Sequence, residues 1–533
     1  MLAEAHGYIM GSTGAELFMK PIRLISGILT VGFWTLASRV LGVAREIFIL
    51  AYIGPGPVMD AFVAAFRLPN MFRRFFAEGA FNAAFVPIFS KKYEGEEDPL
   101  RFARDALNGL AFVLLILSAL ALIFMPALVW ATAGGFAGDE RFALTVGYGR
   151  IIFPYILLIS LAALFSGALN ATGHFAAAAA APILLNVFVI IAMAVGAALG
   201  GDVVLWLVWT IPLAGAAQLA LVWIAAERAG IKVRPGMPRL TPDMKRLVRI
   251  AVPAALAGGV MQVNLLVGQQ VASQFDKAVG WLYAADRLYQ LPLGVVGIAV
   301  GIVLLPDLSR RLKADDTDGS RHAFSRAGEM ALALTVPAAV ALMVIPLPMV
   351  SVLFERGATK ADDSAAIALA VAIYGLGLPA FVLQKVLQPL FFAREDTRTP
   401  FRYAVWSMVV NAVLAIGLVP LMGWIAPAVA TTAAGWVMVV MLAVGGRRIG
   451  EVARFDARFR RRVPRIIAAS LAMGAILWGT YLLLAPFLNM DYWRYPALLL
   501  LLAMGLVSYG VAGHAFGAFR LSEFSSAFRR GRS

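Results

Sequence analysis

Long apolar runs separated by short basic phrases recur along the whole 533-residue chain. A helix that crosses a bilayer needs about 20 mostly apolar residues. Such runs fall at 27–53, 57–88, 107–131, 146–169, 177–199, 203–226, 248–273, 278–305, 328–354, 364–392, 403–422, 425–446, 465–487 and 494–516. The pattern predicts an all-α polytopic membrane protein with about fourteen transmembrane helices. Basic residues crowd every second gap, as with Lys91, Lys92, Arg101 and Arg104, or Arg228, Lys232, Arg234 and Arg239. Further basic gaps run over 310–326, 394–402 and 447–465. The intervening gaps hold only Arg141, Lys277, Arg356, Lys360 and Arg494. Lys and Arg collect in cytoplasmic loops, so both termini are expected on the cytoplasmic side.

The chain also repeats. Pro87 and Pro306 are 219 apart, and Arg67-Leu68 and Arg287-Leu288 are 220 apart. Pro154 and Pro379, and Asn186 and Asn411, are each 225 apart. The offset maps the second run onto the eighth, an even shift, so the halves are parallel repeats about an axis along the membrane normal. The expected organisation is an N-terminal cytoplasmic segment (1–26), a six-helix lobe (27–226), a cytoplasmic linker (227–247), a second six-helix lobe (248–446), a basic loop (447–464), two appended helices (465–516) and a cytoplasmic tail (517–533).

Composition narrows the function. The chain is 61% hydrophobic and 14% charged, against about 45–50% and 25% in soluble domains. It has no cysteine, which excludes disulfides and thiolate chemistry, and its four histidines are scattered, so no metal site and no cofactor are expected. The net charge of +15 reads as loop charge rather than a nucleic-acid surface. No Walker motif, nucleophile elbow or acid–base pair stands out, so the chain reads as a non-enzyme. Residues 1–18 lack the pattern of a signal peptide. Either Met19 is the true start or 1–18 has no fixed order; intact mass and an ordered, retained N-terminus are the test.

Charge inside the first two apolar runs is the departure from this simple picture. It comprises Arg39, Arg45, Glu46, Asp60, Arg67, Arg73, Arg74 and Glu78. A charge at bilayer depth costs at least about 2.5 kcal/mol and marks a watery cavity. The excess is positive, which suits an anionic cargo. Arg keeps its charge and offers a planar fork to phosphate oxygens, so converging arginines suit a pyrophosphate or sugar phosphate. Helical spacing sets Arg39 and Arg45 about 120° apart, on adjacent walls, while Arg39 and Glu46 share a face. Arg73 leaves the face shared by Arg67 and Arg74, and Glu78 is placed to pair with Arg74. Asp60 is a candidate partner for a basic residue when cargo is absent. Plainer readings stand beside these: Arg45 and Glu46 snorkelling at the interface, Arg67 compensating carbonyls freed by Pro69, and Lys385 as an isolated structural cation. In the second half Arg287 is expected to face the cavity and Asp286 to pack or pair. The rest of that charge is absent there, so the scaffold is duplicated and the charge is not.

These phrases resemble the MurJ (MviN) family of lipid II flippases. The matching residues are S-R-V-L-G-V-A-R-E (38–46), D-A-F-V-A-A-F-R-L-P-N-M-F-R-R-F-F-A-E-G-A-F (60–81), F-P-Y-I-L-L-I-S-L-A (153–162), Y-A-A-D-R-L (283–288) and L-L-P-D-L-S (304–309). The resemblance implies two six-helix lobes around a central cavity, two extra helices forming a groove for a lipid tail, and alternating access in a bacterial inner membrane. It implies that Ser38, Arg39, Arg45, Arg73 and Arg287 contact the pyrophosphate of lipid II, with Asp60, Glu46 and Glu78 gating or pairing. Two departures follow. Gln290 stands where some relatives are acidic. Asn264 and Asn411 stand where some members hold sodium with aspartates, so no sodium site is expected. A flippase for another polyprenyl-linked sugar is the nearest alternative. A non-transporting scaffold for cell-wall or division proteins, bound to membrane lipids only, is the more distant one.

Overall fold

The computed structural model describes residues 21–73, 80–95, 98–314 and 316–519. The 1–18 segment, Arg74 and Glu78 lie outside the described residues. The chain is all-helical. In the first half run α1 (Pro21–Tyr52), α2 (Pro57–Arg73), α3 (Ala80–Glu94), α4 (Pro99–Ile123) and α5 (Met125–Ala133). They are followed by α6 (Glu140–Ile152), α7 (Tyr155–Ala171), α8 (Phe175–Ala198) and α9 (Val203–Arg228). The second half holds α10 (Pro242–Ala272), α11 (Ala278–Lys313), α12 (Thr317–Val344), α13 (Pro346–Phe354) and α14 (Ala361–Phe392). After them come α15 (Arg398–Gly417), α16 (Val419–Met422), α17 (Ala426–Gly446), α18 (Ala457–Leu488) and α19 (Arg494–Ala515). Helices or helix pairs occupy all fourteen apolar runs. Among the described residues, ten helical stretches are long and apolar enough to cross a membrane.

Local chemistry sets the ends. Asp98, Asp202, Asp316 and Asp456 cap α4, α9, α12 and α18, each carboxylate accepting from backbone N–H groups of the first turn. Such a cap contributes about 0.5–2 kcal/mol. Pro126 and Pro346 open α5 and α13 just after the chain breaks at Phe124 and Ile345. Those two breaks are 221 residues apart, so the repeat extends to helix geometry. It extends to packing as well. α1 packs on α8, α8 on α9, α7 on α9 and α2 on α6. In the second half α10 packs on α15, α15 on α17, α14 on α17 and α11 on α14. Phe33, Leu36 and Val40 form an exposed apolar stripe on α1, as expected of a surface that meets lipid.

The last two helices pack on each other, and α18 packs on α12. Charges fasten that joint at the basic face. Glu329 of α12 accepts from Arg462 at 2.5 Å and Arg458 at 3.4 Å, and also pairs with Arg326. Asp456 accepts from the Phe459 N–H at 2.7 Å and from Arg326 at 2.5 Å. Burial works to raise the Asp456 carboxyl, but that N–H and the Arg326 guanidinium outweigh it and hold it below the ordinary carboxylate range.

The two halves meet at the opposite face through backbone-level contacts. The Ala358 N–H donates to the Ala51 carbonyl at 2.8 Å, and the Thr359 hydroxyl to the Leu50 carbonyl at 2.7 Å. The Gly135 N–H donates to Ser273 Oγ at 3.0 Å, and the Gly280 N–H to Asp60 at 2.8 Å. Gly357 has φ +58°, and a Cβ there would stand 2.2 Å from the Ala51 carbonyl oxygen. At Gly135 a Cβ would stand 2.4 Å from the Ser273 carbonyl carbon. Only glycine permits both approaches.

Two outcomes are expected. Because the chain lacks cysteine, a single Val279→Cys reporter should resist a membrane-impermeant maleimide in the parent protein and react once Gly357→Ala is added; equal reactivity would show that the seal tolerates the methyl group. For Asp456, the depressed folded pKa means its stabilisation is present above the unfolded pKa of about 4 and is lost as pH falls through the lower folded value. The melting temperature of Asp456→Asn should therefore lie below that of the parent at neutral pH, and the gap should narrow as the pH is lowered into the acid range. Equal melting at pH 7 would remove the Arg326 pair from the account of the joint.

Candidate functional site

A cavity of about 1330 Å³ lies between the halves, lined by residues of α1, α2, α3, α7, α8, α9, α10, α11, α13, α14 and α17. The first wall comes from α1, whose i, i+1 and i, i+7 spacings bring Ser38, Arg39, Arg45 and Glu46 to the cavity. From α2 come Arg67, Asn70 and Arg73; from α11 Asp286 and Arg287; from α14 Lys385. The described lining holds six cationic and two anionic side chains, an excess of four positive charges.

Glu46 sits at the centre of this charge. It pairs with Arg45, accepts from the Tyr283 hydroxyl at 3.1 Å, and lies 3.7 Å from Arg287 Nε. Arg287 in turn stacks over the Tyr283 ring at 4.5 Å. Arg45 also donates to Asn186 Oδ1 at 2.9 Å. The Nε atoms of both arginines are buried and make no hydrogen bond. One carboxylate thus partly neutralises two guanidiniums and leaves donors on each. Arg39 reaches across to α11, where its guanidinium fills the notch at Gly294; a Cβ there would stand 2.1 Å from Nη1. Arg73 Nε donates to Asn70 Oδ1 at 3.3 Å, and Asn70 donates to the Phe66 carbonyl at 3.0 Å. Asp286 accepts from Gln290 and lies within electrostatic reach of Arg67.

Ser38, Arg39, Arg45, Glu46, Arg73 and Arg287 are therefore brought to one cavity, and Asp60 is placed elsewhere. Its side chain is fully buried in the seal, 2.8 Å from the Gly280 N–H and 3.5 Å from Arg141 Nη1. Arg141 also binds the Phe275 carbonyl at 3.1 Å and Asp139 at 2.6 Å. The residue that Asp60 meets is one of the few cations of the sparsely charged face, which the loop pattern marked without giving it a role. Burial works to raise the Asp139 carboxyl, but the Arg141 side chain and N–H outweigh it and hold it below its usual range. Three lining residues were missed in the sequence. Tyr283 was visible one turn before Arg287. Lys385, read as isolated, lies on a polar edge of α14 with Gln384 and Gln388, within reach of Arg39. Asn186 appeared only as a repeat anchor. Asp286, expected to pack or pair, also lines the cavity. Among the described residues no three His, Asp or Glu side chains gather as metal ligands. Asn411 donates to Asn264 at 2.6 Å, so the two asparagines singled out in the sequence face each other.

Comparison with known proteins agrees with this architecture. Residues 49–503 match the family model described as "Lipid II flippase MurJ". A probable lipid II flippase MurJ of Rhizobium tropici is 46% identical over 461 residues, covering 85% of this chain and 86% of that protein. Its counterpart in Rhizobium meliloti is 43% identical over 520 residues, covering 96% and 97%. Among solved structures, a lipid II flippase MurJ in an inward closed conformation superposes with a TM-score of 0.77 at 24% identity, over 92% of this chain and 98% of that one. An inward-facing multidrug resistance MATE family transporter of the MOP superfamily gives 0.66 at 16% identity, over 79% and 96%. The helical fold, its membrane-crossing character and the match across most of the length lead to one assignment: the chain belongs to the Lipid II flippase MurJ family of membrane transporters.

Proposed function

We propose that this protein moves lipid II from the cytoplasmic to the periplasmic leaflet of a bacterial inner membrane by alternating access, with the arginine cavity holding the pyrophosphate. The observation that carries this reading is the excess of four positive charges in a cavity between two halves of a membrane protein. A pyrophosphate supplies the missing negative charge, and guanidinium forks match its oxygens. The cavity volume exceeds the roughly 300–1,000 Å³ of a drug-sized site, which suits a large polar head group while the polyprenyl tail stays in lipid. The alternation of basic loops supports a cytoplasmic position for both termini. The lobes at 27–226 and 248–446 move against each other, and the helices of 465–516 hold the tail.

In this reading Arg39, Arg45, Arg73 and Arg287 contact the pyrophosphate, with Ser38 beside them. Glu46 holds Arg45 and Arg287 together when the cavity is empty. Asp60 acts at the seal through Arg141 and the Gly280 N–H, and Glu78 is assigned a gating or pairing role as well. A scaffold without transport would gain nothing from buried cations and would tolerate their removal.

Complementation of a bacterium depleted of its lipid II flippase tests the function. The parent protein is expected to restore growth. Arg39→Ala and Arg73→Ala are expected to insert normally and fail, since each charge-assisted contact is worth about 1.5–3 kcal/mol, or roughly 10- to 150-fold in affinity. Growth with both variants would discard the site. A well-expressed parent that fails would turn the assignment toward another lipid-linked sugar.

A further inference from the structure

Asn186 is a buried polar residue of the cavity wall that the transport reading leaves without a task. It lies on α8 and is 5% exposed. Both ends of its amide are used, and both reach α1. Oδ1 accepts from Arg45 Nη1 at 2.9 Å, while Nδ2 donates to the Ser38 carbonyl at 3.0 Å. Ser38, Gly42 and Arg45 follow i, i+4, i+7 and share one face of α1. The amide lies alongside Gly42, with the Asn186 nitrogen in ordinary contact range, 3.9 Å from where a Cβ would stand. One side chain therefore holds the head of Arg45 and the backbone of the helix that carries it. Nη2 of Arg45 is taken by Glu46, and the Nε–H is left buried without an acceptor.

The second half supplies an internal comparison. Asn411 stands 225 residues after Asn186 and is 1% exposed. It also bridges to the first helix of its own half, donating to Asn264 at 2.6 Å. Asn264 is 219 residues after Arg45, the same offset as Pro306 from Pro87. The same interhelical asparagine thus joins α8 to α1 and α15 to α10. Its partner is an arginine only in the half that carries the charge. Joining helices is common to both copies; holding a guanidinium belongs to Asn186 alone.

We propose that Asn186 is a positioning residue for substrate: it fixes the plane and depth of the Arg45 guanidinium so that the second N–H of Nη1 and of Nη2 serves the anionic group. An arginine side chain has several rotatable bonds and loses rotamer entropy when it is held. An amide anchored to the backbone of α1 removes that freedom before substrate arrives, and preorganisation of this kind appears as affinity. The inference rests on the reading that Arg45 meets the pyrophosphate.

The test is binding of lipid II to the full-length protein in nanodiscs, with melting temperature measured alongside. Asn186→Leu should weaken binding about tenfold, the loss of one hydrogen bond to a charged group. Asn411→Leu removes an equally buried asparagine from the other half and should leave affinity within about twofold. Arg45→Ala should weaken binding, and the Asn186→Leu/Arg45→Ala double variant should bind no more weakly than Arg45→Ala alone, because both changes remove one unit. Additive losses would assign Asn186 a purely structural role and overturn the proposal. So would parent-like binding by Asn186→Leu. If Arg45→Ala itself binds normally, the cavity reading fails and takes the proposal with it. If Arg45→Ala is weak while Asn186→Leu is normal, only the positioning role fails. Should Asn186→Leu not fold, Asn186→Ala removes the same two hydrogen bonds and is read the same way.

Discussion

Cationic charge held within a membrane protein is the constraint on which the rest of the structure depends. Six cations and two acids line one cavity, and each unmatched charge at bilayer depth costs a few kcal/mol. The protein meets that cost with a small set of contacts. Glu46 stands between Arg45 and Arg287, Tyr283 offers both its hydroxyl and its ring, and Asn186 and Asn70 take single arginine donors. Breaking a buried pair by removing one partner is more costly than never forming it. The net excess that remains is what an anionic ligand would answer.

The seal between the halves is built from different chemistry. It uses backbone N–H and carbonyl groups, brought close by Gly135, Gly280 and Gly357, and a single buried carboxylate, Asp60, held by Arg141. Such contacts are short-ranged and lie on one surface, so parting the halves would break them together. The cavity charges also cross between the halves, through Glu46 with Arg287 and Tyr283 and through Arg39 at Gly294.

Duplication explains the economy of the fold and its asymmetry. Helix breaks at Phe124 and Ile345, helix pairings and the interhelical asparagines recur in both halves. The arginines of α1 and α2 have no such counterparts, apart from Arg287 opposite Arg67. The second half instead answers with space: Gly294 receives the Arg39 guanidinium. Gly294 of α11 is thus the seat of a charge from the other half.

The sequence by itself determined the helical membrane architecture, the repeat and the family. Those features are local or periodic: an apolar run long enough to cross a bilayer, a basic gap, a fixed offset, a phrase such as that at 60–81. It also marked the charged residues of α1, α2 and α11, because hydrocarbon makes any charge conspicuous. Only the tertiary structure decided which of them share a cavity. Arg39 and Gly294 are 255 positions apart, and Arg45 and Asn186 are 141 apart, so no helical period connects them. Asp60 lies in the same phrase as Arg67 and Arg73, yet it faces the seal because the start of α2 packs against α11 where the halves touch. Lys385 looked isolated on its own helix and acquires neighbours only when α14 packs beside α11. Helical spacing sets the direction of a side chain within its own helix; packing between distant helices determines what that side chain meets.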